Sequence, residues 1–444
     1  MTDKDVQVNS FKKKKQSFAS KLLVRYFWAM RRTIREIAQF LGKESVNKKE
    51  IFHFAFDSRK VKPGTFFFAL KGEKVDGHTF LEEVASKGGL GAVVSKDYQG
   101  PHFGMELFPV ENVRKALQHL ARDLFKQRPP LVIGVTGTVG KTTTKEFIAG
   151  ILSEKFRVSK SIGSENSQVS LPLTILNWEG EDEILVLEMG MSQKKELAQL
   201  VQMAPPDLGV LTKVSLAHAA FFDDLEDIAK AKCELFESKK LKHAFINREA
   251  SEFKAVQKVK GPITWFEKAT IQSPFTEAPF LENLGAAVSI ARHLGMSDGE
   301  IEKGAQKLRP FTHRGEKVQK KGVLFIDDAY NASPIAMKGA LKSLPEGRRR
   351  IGFLGAMKEL GIYEEESHKE VGEYALPLLD ELLCLGKECQ VMVDLFQKKG
   401  KRATLFETKK EATAHLKKIM KEGDVVLLKG SNSFQLWTVL EEID

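Results

Sequence analysis

Apolar residues along this chain gather in short runs that alternate with longer stretches in which they recur every three to four positions. The first pattern suits strands buried on both faces, and the second suits helices with one apolar face. From Leu131 onward the runs are LVIGVTG (131–137), ILVLEMG (184–190), LGVLTKV (208–214) and HAFIN (243–247), alternating with helical stretches. Such alternation predicts a parallel sheet covered by helices on both faces. A further block begins near Pro310 and repeats the theme with VLFIDDAY (323–330), RRRIGFLGAM (348–357), ELLCLG (381–386) and DVVLLKGS (424–431). Ahead of both, a short amphipathic helix opens at Ile34, and FHFAFDSRKVKPGTFFFAL (52–70) reads as two β-prone runs split by the turn signal Lys62-Pro63-Gly64. A helix over Thr79–Lys87, a strand over Gly91–Ser95 and a helix over Val113–Lys126 complete that block, which ends at Pro129-Pro130.

The expectation is an α/β protein of three domains. A small N-terminal α/β domain spans 30–128, a central parallel sheet flanked by helices spans 129–310, and a C-terminal Rossmann-like α/β domain spans 311–444. A length of 444 residues gives each a core of its own. The three cysteines exclude a disulfide scaffold, and Cys384 and Cys389 lack the second pair or the histidines of a zinc site. No run approaches the roughly 18 apolar residues of a membrane span, and the N-terminus lacks the compact apolar core of a signal peptide. A soluble, cytoplasmic, monomeric protein is expected.

Charge changes the picture in one place. The formal net charge is +10, yet residues 1–35 hold ten Lys or Arg against Asp3 and Asp5, so the rest of the chain is nearly neutral. The basic character belongs to a leader, residues 1–29, and argues against a nucleic-acid-binding body. Phe11, Phe18, Leu22, Leu23, Tyr26, Phe27 and Met30 would suit a basic amphipathic helix making weak contact with an anionic membrane surface. Blocks of like charge are ordinarily solvated, so a disordered leader is the stronger expectation.

The strongest chemical signal is Val135-Thr136-Gly137-Thr138-Val139-Gly140-Lys141-Thr142-Thr143, placed between an apolar strand and a helix. Glycines there let backbone N–H groups approach phosphate oxygens, the helix N-terminus favours an anion, Lys141 supplies a cation, and the Thr142 hydroxyl suits Mg²⁺. Val135 occupies the first glycine position of the general phosphate-loop pattern, so the run reads T-G-T-x-G-K-T-T. Glu188 ends an apolar strand, where an α/β sheet presents a carboxylate to a bound nucleotide. His218 follows the next strand, and Lys232 lies in the helical stretch IAKAKCELF; either alone would more often be structural.

Together these features resemble the Mur ligase family of ATP-dependent amide-forming enzymes, over residues 30–444. T-G-T-x-G-K-T-T is that family's form of the phosphate loop. The resemblance implies Mg²⁺ held by Thr142, Glu188, His218 and a carbamylated Lys232, with Lys230 the competing lysine. It implies ATP contacts from Thr136, Gly137, Thr138, Gly140, Lys141, Thr142, Thr143, Asn283, Arg314 and Asp328, and catalytic roles for Lys141, Glu188, His218, Lys232 and Arg314. Asp57-Ser58-Arg59, Lys71-Gly72 and Asp76-Gly77-His78 resemble the family's uridine-nucleotide domain, so Ser58, Arg59, Lys71, Gly72, Asp76 and His78 are expected on substrate. Asn166 and Ser167 resemble the family's segment that faces this substrate beside the phosphate loop, so they too are expected on substrate. The runs Asp327-Asp328-Ala329-Tyr330-Asn331-Ala332 and Gly355-Ala356-Met357-Lys358-Glu359-Leu360-Gly361 resemble those of the members that join D-alanyl-D-alanine to UDP-N-acetylmuramoyl tripeptide, which places Tyr330 and Asn331 near the dipeptide. An acyl phosphate would link the ATP and amide halves of the reaction.

Three stretches depart from the family pattern. Pro279-Phe280 stands where relatives carry His-Asn, Ala219-Ala220-Phe221-Phe222 follows His218, and Asn247-Arg248-Glu249 replaces N-A-D-D. The first puts adenine contacts in doubt. A sister ligase of the same family, including a folylpolyglutamate type, and a catalytically inactive nucleotide-binding protein remain the competing readings.

Overall fold

The computed structural model describes residues 32–72, 74–127, 129–216 and 221–443. The leader 1–29 and His218 lie outside the described residues. The fold is α/β, and the described residues form three sheets of four or more strands distributed over two compact units.

The first unit comprises residues 1–131, 167–185 and 202–204. Its sheet is parallel, in the order His53–Ala55, Thr65–Phe68, Gly89–Ser95, Glu106–Val110. Thr65–Phe68 is buried throughout, and Phe66 packs between Phe54, Phe68 and Phe108 with ring centroids 5.7–6.1 Å apart. The unbroken run TFFF therefore reads as a central strand. Val113–Phe125 packs its apolar face on this sheet, and its N-cap Asn112 accepts a hydrogen bond from Lys115 N. The helix Ser170–Leu176 belongs to this unit as well. Just beyond it, the Asn177 side-chain amide accepts from Phe54 N (2.9 Å) and donates to Phe54 O (3.0 Å), satisfying the backbone of an edge strand.

The second unit holds two six-stranded sheets. In one the order is Ile263–Phe266, His243–Asn247, Leu208–Leu211, Leu131–Thr136, Ile184–Glu188, Val158–Lys160. The first four strands pair in parallel. The chain leaves Leu131–Thr136, crosses to one side, and returns on the other with Leu208–Leu211, so the C-terminal end of Leu131–Thr136 is the point where strand order reverses. Such switch points open the crevice that α/β proteins use for ligands.

The other sheet runs Glu316–Lys320, Val323–Asp327, Val425–Lys429, Arg350–Gly355, Glu381–Leu385, Arg402–Phe406, parallel except for the first pair. Glu381–Leu385 and Val425–Lys429 are buried throughout, as strands covered on both faces must be. Among the described residues, no helix is long and apolar enough to cross a membrane.

Candidate active site

The phosphate loop occupies the switch point, between Thr136 and the helix Lys141–Leu152. Two glycines shape it. Gly140, the helix N-cap, has φ +84°, and a Cβ there would fall 2.4 Å from Asn283 Oδ1; at Gly137 a Cβ would meet Thr212 Oγ1 at 1.9 Å. No side chain caps this helix, which leaves its first N–H groups free for an anion. The Lys141 ammonium donates to Gly137 O (2.9 Å) and Thr138 O (3.1 Å), folded back over the loop. Burial lowers its pKa, with Arg314 adding to the effect and Glu188 opposing it. Thr138 is fixed by Lys213 O and Ser215 O, while the buried Thr136 hydroxyl has no hydrogen-bond partner among the described residues. Thr143 is buried in the helix's first turn.

Glu188 is 1% exposed at the end of the neighbouring strand. One carboxylate oxygen accepts from Thr142 Oγ1 (2.7 Å) and the other from Asn166 Nδ2 (2.7 Å). Thr142 also meets the Ser164 hydroxyl at 3.2 Å, and Arg314 donates to that hydroxyl at 3.0 Å. Arg314 lies 4.1 Å from the centroid of the Tyr330 ring, and its buried Nε has no hydrogen-bond partner among the described residues. Hard oxygen donors from Thr142 and Glu188, a loop whose glycines leave no room for side chains, and an unpartnered guanidinium nitrogen beside them suit Mg²⁺ and a polyphosphate.

Lys232 is 4% exposed on the helix Leu225–Cys233, and no hydrogen-bond or ion-pair partner is present for it among the described residues. Burial, reinforced by Lys141, pushes its pKa well below the lysine range, which favours the neutral amine. Lys230 on the same helix is exposed.

From the other sheet, Asp328 Oδ2 accepts from the buried Lys429 ammonium (2.7 Å), which also donates to Asn331 O (3.0 Å). His313 has φ +62°, and its ring Nδ1 meets Asp327 Oδ2 at 2.6 Å; Ala329 N donates to the other Asp327 oxygen. This lock fixes Arg314 and Tyr330 on either side, and burial raises the Asp327 pKa.

In the first unit, a separate cavity of about 660 Å³ is lined by Lys71, Asp76 and His78 together with Ser95, Tyr98, Asn112 and Arg114. His78 Nδ1 meets Asp76 Oδ1 at 2.6 Å and its Nε2 accepts from Ser95 N, so the ring carries its proton on Nδ1. Ser58 and Arg59 do not line this cavity: the Arg59 guanidinium turns back to Asp57, and Ser58 O accepts from Lys87. Gly72 turns the chain, donating to Val75 O. Ser167 is exposed and pairs with Ser170.

Two of the three departures find structural roles; in the third, Ala219 and Ala220 lie outside the described residues. Phe280 stacks on Phe275 with centroids 4.8 Å apart, while Asn283 keeps its place at the loop by accepting from Thr144 Oγ1. Asn247 caps the turn that follows its strand. Sequence reasoning did not single out Ser164, Lys145 or the His313–Asp327 pair. Lys145 offered a usable signal, a lysine one helical turn beyond Lys141 and on a face shared with Ile148 and Ala149.

Comparison with known proteins defines the class. Residues 135–272 match the Mur ligase middle domain, 313–432 the Mur ligase glutamate ligase domain, and 51–124 the Mur ligase family catalytic domain. The chain belongs to the Mur ligase family. It is 30% identical to the UDP-N-acetylmuramoyl-tripeptide–D-alanyl-D-alanine ligase of Bacillus subtilis (strain 168), over 93% of this chain and 98% of that one. It is 29% identical to the Escherichia coli (strain K12) ligase of the same name, over 87% and 92%. Among solved structures it resembles MurF from Acinetobacter baumannii (TM-score 0.81, 25% identity, 94% and 99% covered). It also resembles MurF ligase from Thermotoga maritima in complex with ADP (TM-score 0.74, 30% identity, 88% and 96% covered). These likenesses carry the three-domain α/β architecture of the family to this chain.

Proposed function

We propose that this chain is an ATP-dependent, ADP-forming ligase that joins D-alanyl-D-alanine to a UDP-N-acetylmuramoyl tripeptide, giving the pentapeptide precursor of peptidoglycan. Relatives that cover nearly the whole chain carry that activity in their names. The observation that carries the reading is the convergence of Lys141, Thr142, Glu188 and Arg314 around one phosphate loop.

A carboxylate does not condense with an amine at neutral pH, so the tripeptide carboxylate first takes the γ-phosphoryl group of ATP as an acyl phosphate, which the dipeptide amine then attacks. The work of the protein is to neutralise and position phosphate charge. Loop N–H groups and Lys141 hold the phosphates, and Arg314 approaches from the other sheet. Thr142 and Glu188 would hold Mg²⁺, together with His218 and Lys232. The ion supplies charge neutralisation that no single side chain matches. A neutral amine at Lys232 is the form that adds CO₂, and the resulting carbamate turns a group that would repel a cation into a ligand. Asp328 is assigned to the nucleotide ribose, and Tyr330 and Asn331 to the dipeptide. The cavity at Lys71, Asp76 and His78 is assigned to the uridine nucleotide, in a domain spanning 30–128 that precedes an ATP-binding domain at 129–310 and a ligase domain at 311–444. We assign the enzyme to the cytoplasm as a monomer.

The test is phosphate release from ATP and Mg²⁺ with the tripeptide nucleotide, with and without D-alanyl-D-alanine. Release that requires both substrates, with a product of pentapeptide mass, is expected. Nucleotide binding without that product would reject the substrate assignment.

A further inference from the structure

The turn Ser161–Asn166 is assigned no step in the chemistry above, yet its side chains bond Thr142, Glu188 and Arg314 at the phosphate site. It is held from beneath by Lys145, whose side chain is 0% exposed. That ammonium donates to Ser161 O (2.7 Å) and Gly163 O and lies 3.1 Å from Glu146, which also pairs with Lys160. Burying an ammonium is costly unless all its protons are engaged, and here two of the partners are carbonyls of a single turn. Ser161 Oγ accepts from Glu188 N (3.1 Å), which ties the turn to the strand end that bears the carboxylate.

Glu188 accepts, so Thr142 must donate its hydroxyl proton to it. Thr142 therefore accepts from Ser164, and Ser164 in turn accepts from the Arg314 guanidinium. One chain of donors runs Arg314, Ser164, Thr142, Glu188, with Asn166 donating to the second Glu188 oxygen. Directed chains of this kind polarise one another.

We propose that Ser164, set by the buried Lys145, is a positioning residue of the nucleotide site that orients Arg314 and Thr142 together through this single chain of hydrogen bonds. The inference rests on the nucleotide half of the proposed function and adds to it the group that couples the two sides of the site.

The test measures Mg-ADP affinity of the full chain across a Mg²⁺ titration, a readout that needs neither peptide substrate, so failure of the product assignment and failure of this pair are separate results. Ser164→Ala is expected to bind Mg-ADP about tenfold more weakly, the worth of a hydrogen bond to a charged group, and to need more Mg²⁺ for half-maximal binding. Ser164→Thr keeps the hydroxyl and is expected to bind as the parent does. Lys145→Met is expected to weaken binding in the same sense, and adding Ser164→Ala to it should weaken binding no further, since both act through one turn. Should Lys145→Met fail to fold, the partly exposed Ser164 decides alone. Parental affinity in Ser164→Ala at every Mg²⁺ concentration, or additive losses in the double variant, would overturn the proposal.

Discussion

At the scale of single residues, burial separates the groups of this site more sharply than residue type does. Lys145 and Lys232 are withdrawn from water and Lys141 is half-buried, but only Lys232 has no hydrogen-bond partner among the described residues. A lone buried amine is a liability for stability, and it persists where its neutral form has a use. Lys232→Ala is therefore expected to abolish most turnover while changing stability by no more than about 1 kcal/mol, because the new cavity and relief of an unpaired buried amine oppose each other. Formate or acetate should restore part of the rate by standing in for the carbamate. Turnover and chemical denaturation measured on the same sample check both halves, and parental turnover would remove Lys232 from the metal site. Thr142 and Glu188 were legible in the sequence because strand ends and a phosphate loop fix where they must lie. Ser164 was not, because a serine in a polar turn acquires meaning only from Arg314, 150 residues away in the chain.

At the scale of elements, apolar runs announced the strands that are buried on both faces. Edge strands were harder to read. Glu316–Lys320 alternates between partly buried and exposed positions, and Glu106–Val110 contains Pro109, which an edge strand tolerates. Neither forms the continuous apolar run that marks a central strand. The phosphate-loop helix was legible in type, but not the fact that its N-cap glycine lies against Asn283 of a helix more than a hundred residues later. That contact makes Gly140→Ala a severe change. A left-handed non-glycine residue costs about 1–2 kcal/mol, and the added Cβ would also drive Asn283 off the loop. The expected outcome is loss of detectable Mg-ATP binding with a folded chain, checked by equilibrium dialysis and circular dichroism. Binding at the parental level would show that the loop adapts and that its shape does not set affinity.

At the scale of the whole molecule, the linear reading finds three successive blocks, whereas the compact units are assembled from discontinuous stretches. Residues 167–185 join the first unit because Asn177 and the helix before it satisfy an edge strand and cover a helix face there, a pairing that composition along the chain does not announce. Each unit carries its own candidate ligand site. The Lys71, Asp76 and His78 cavity lies wholly in the first, and the phosphate loop with Glu188, Arg314 and Ser164 lies wholly in the second. A ligand stabilises the cooperative unit that binds it, by about 2.7 kcal/mol at a hundredfold excess over Kd. Calorimetric unfolding is therefore expected to resolve two transitions, since multidomain chains depart from two-state behaviour. Mg-ADP should raise the transition of the second unit and UDP that of the first. If Mg-ADP and UDP each moved both transitions equally, the units would be unfolding as one body, and the assignment of separate nucleotide sites would need direct binding measurements on variants of Lys71 and Lys141.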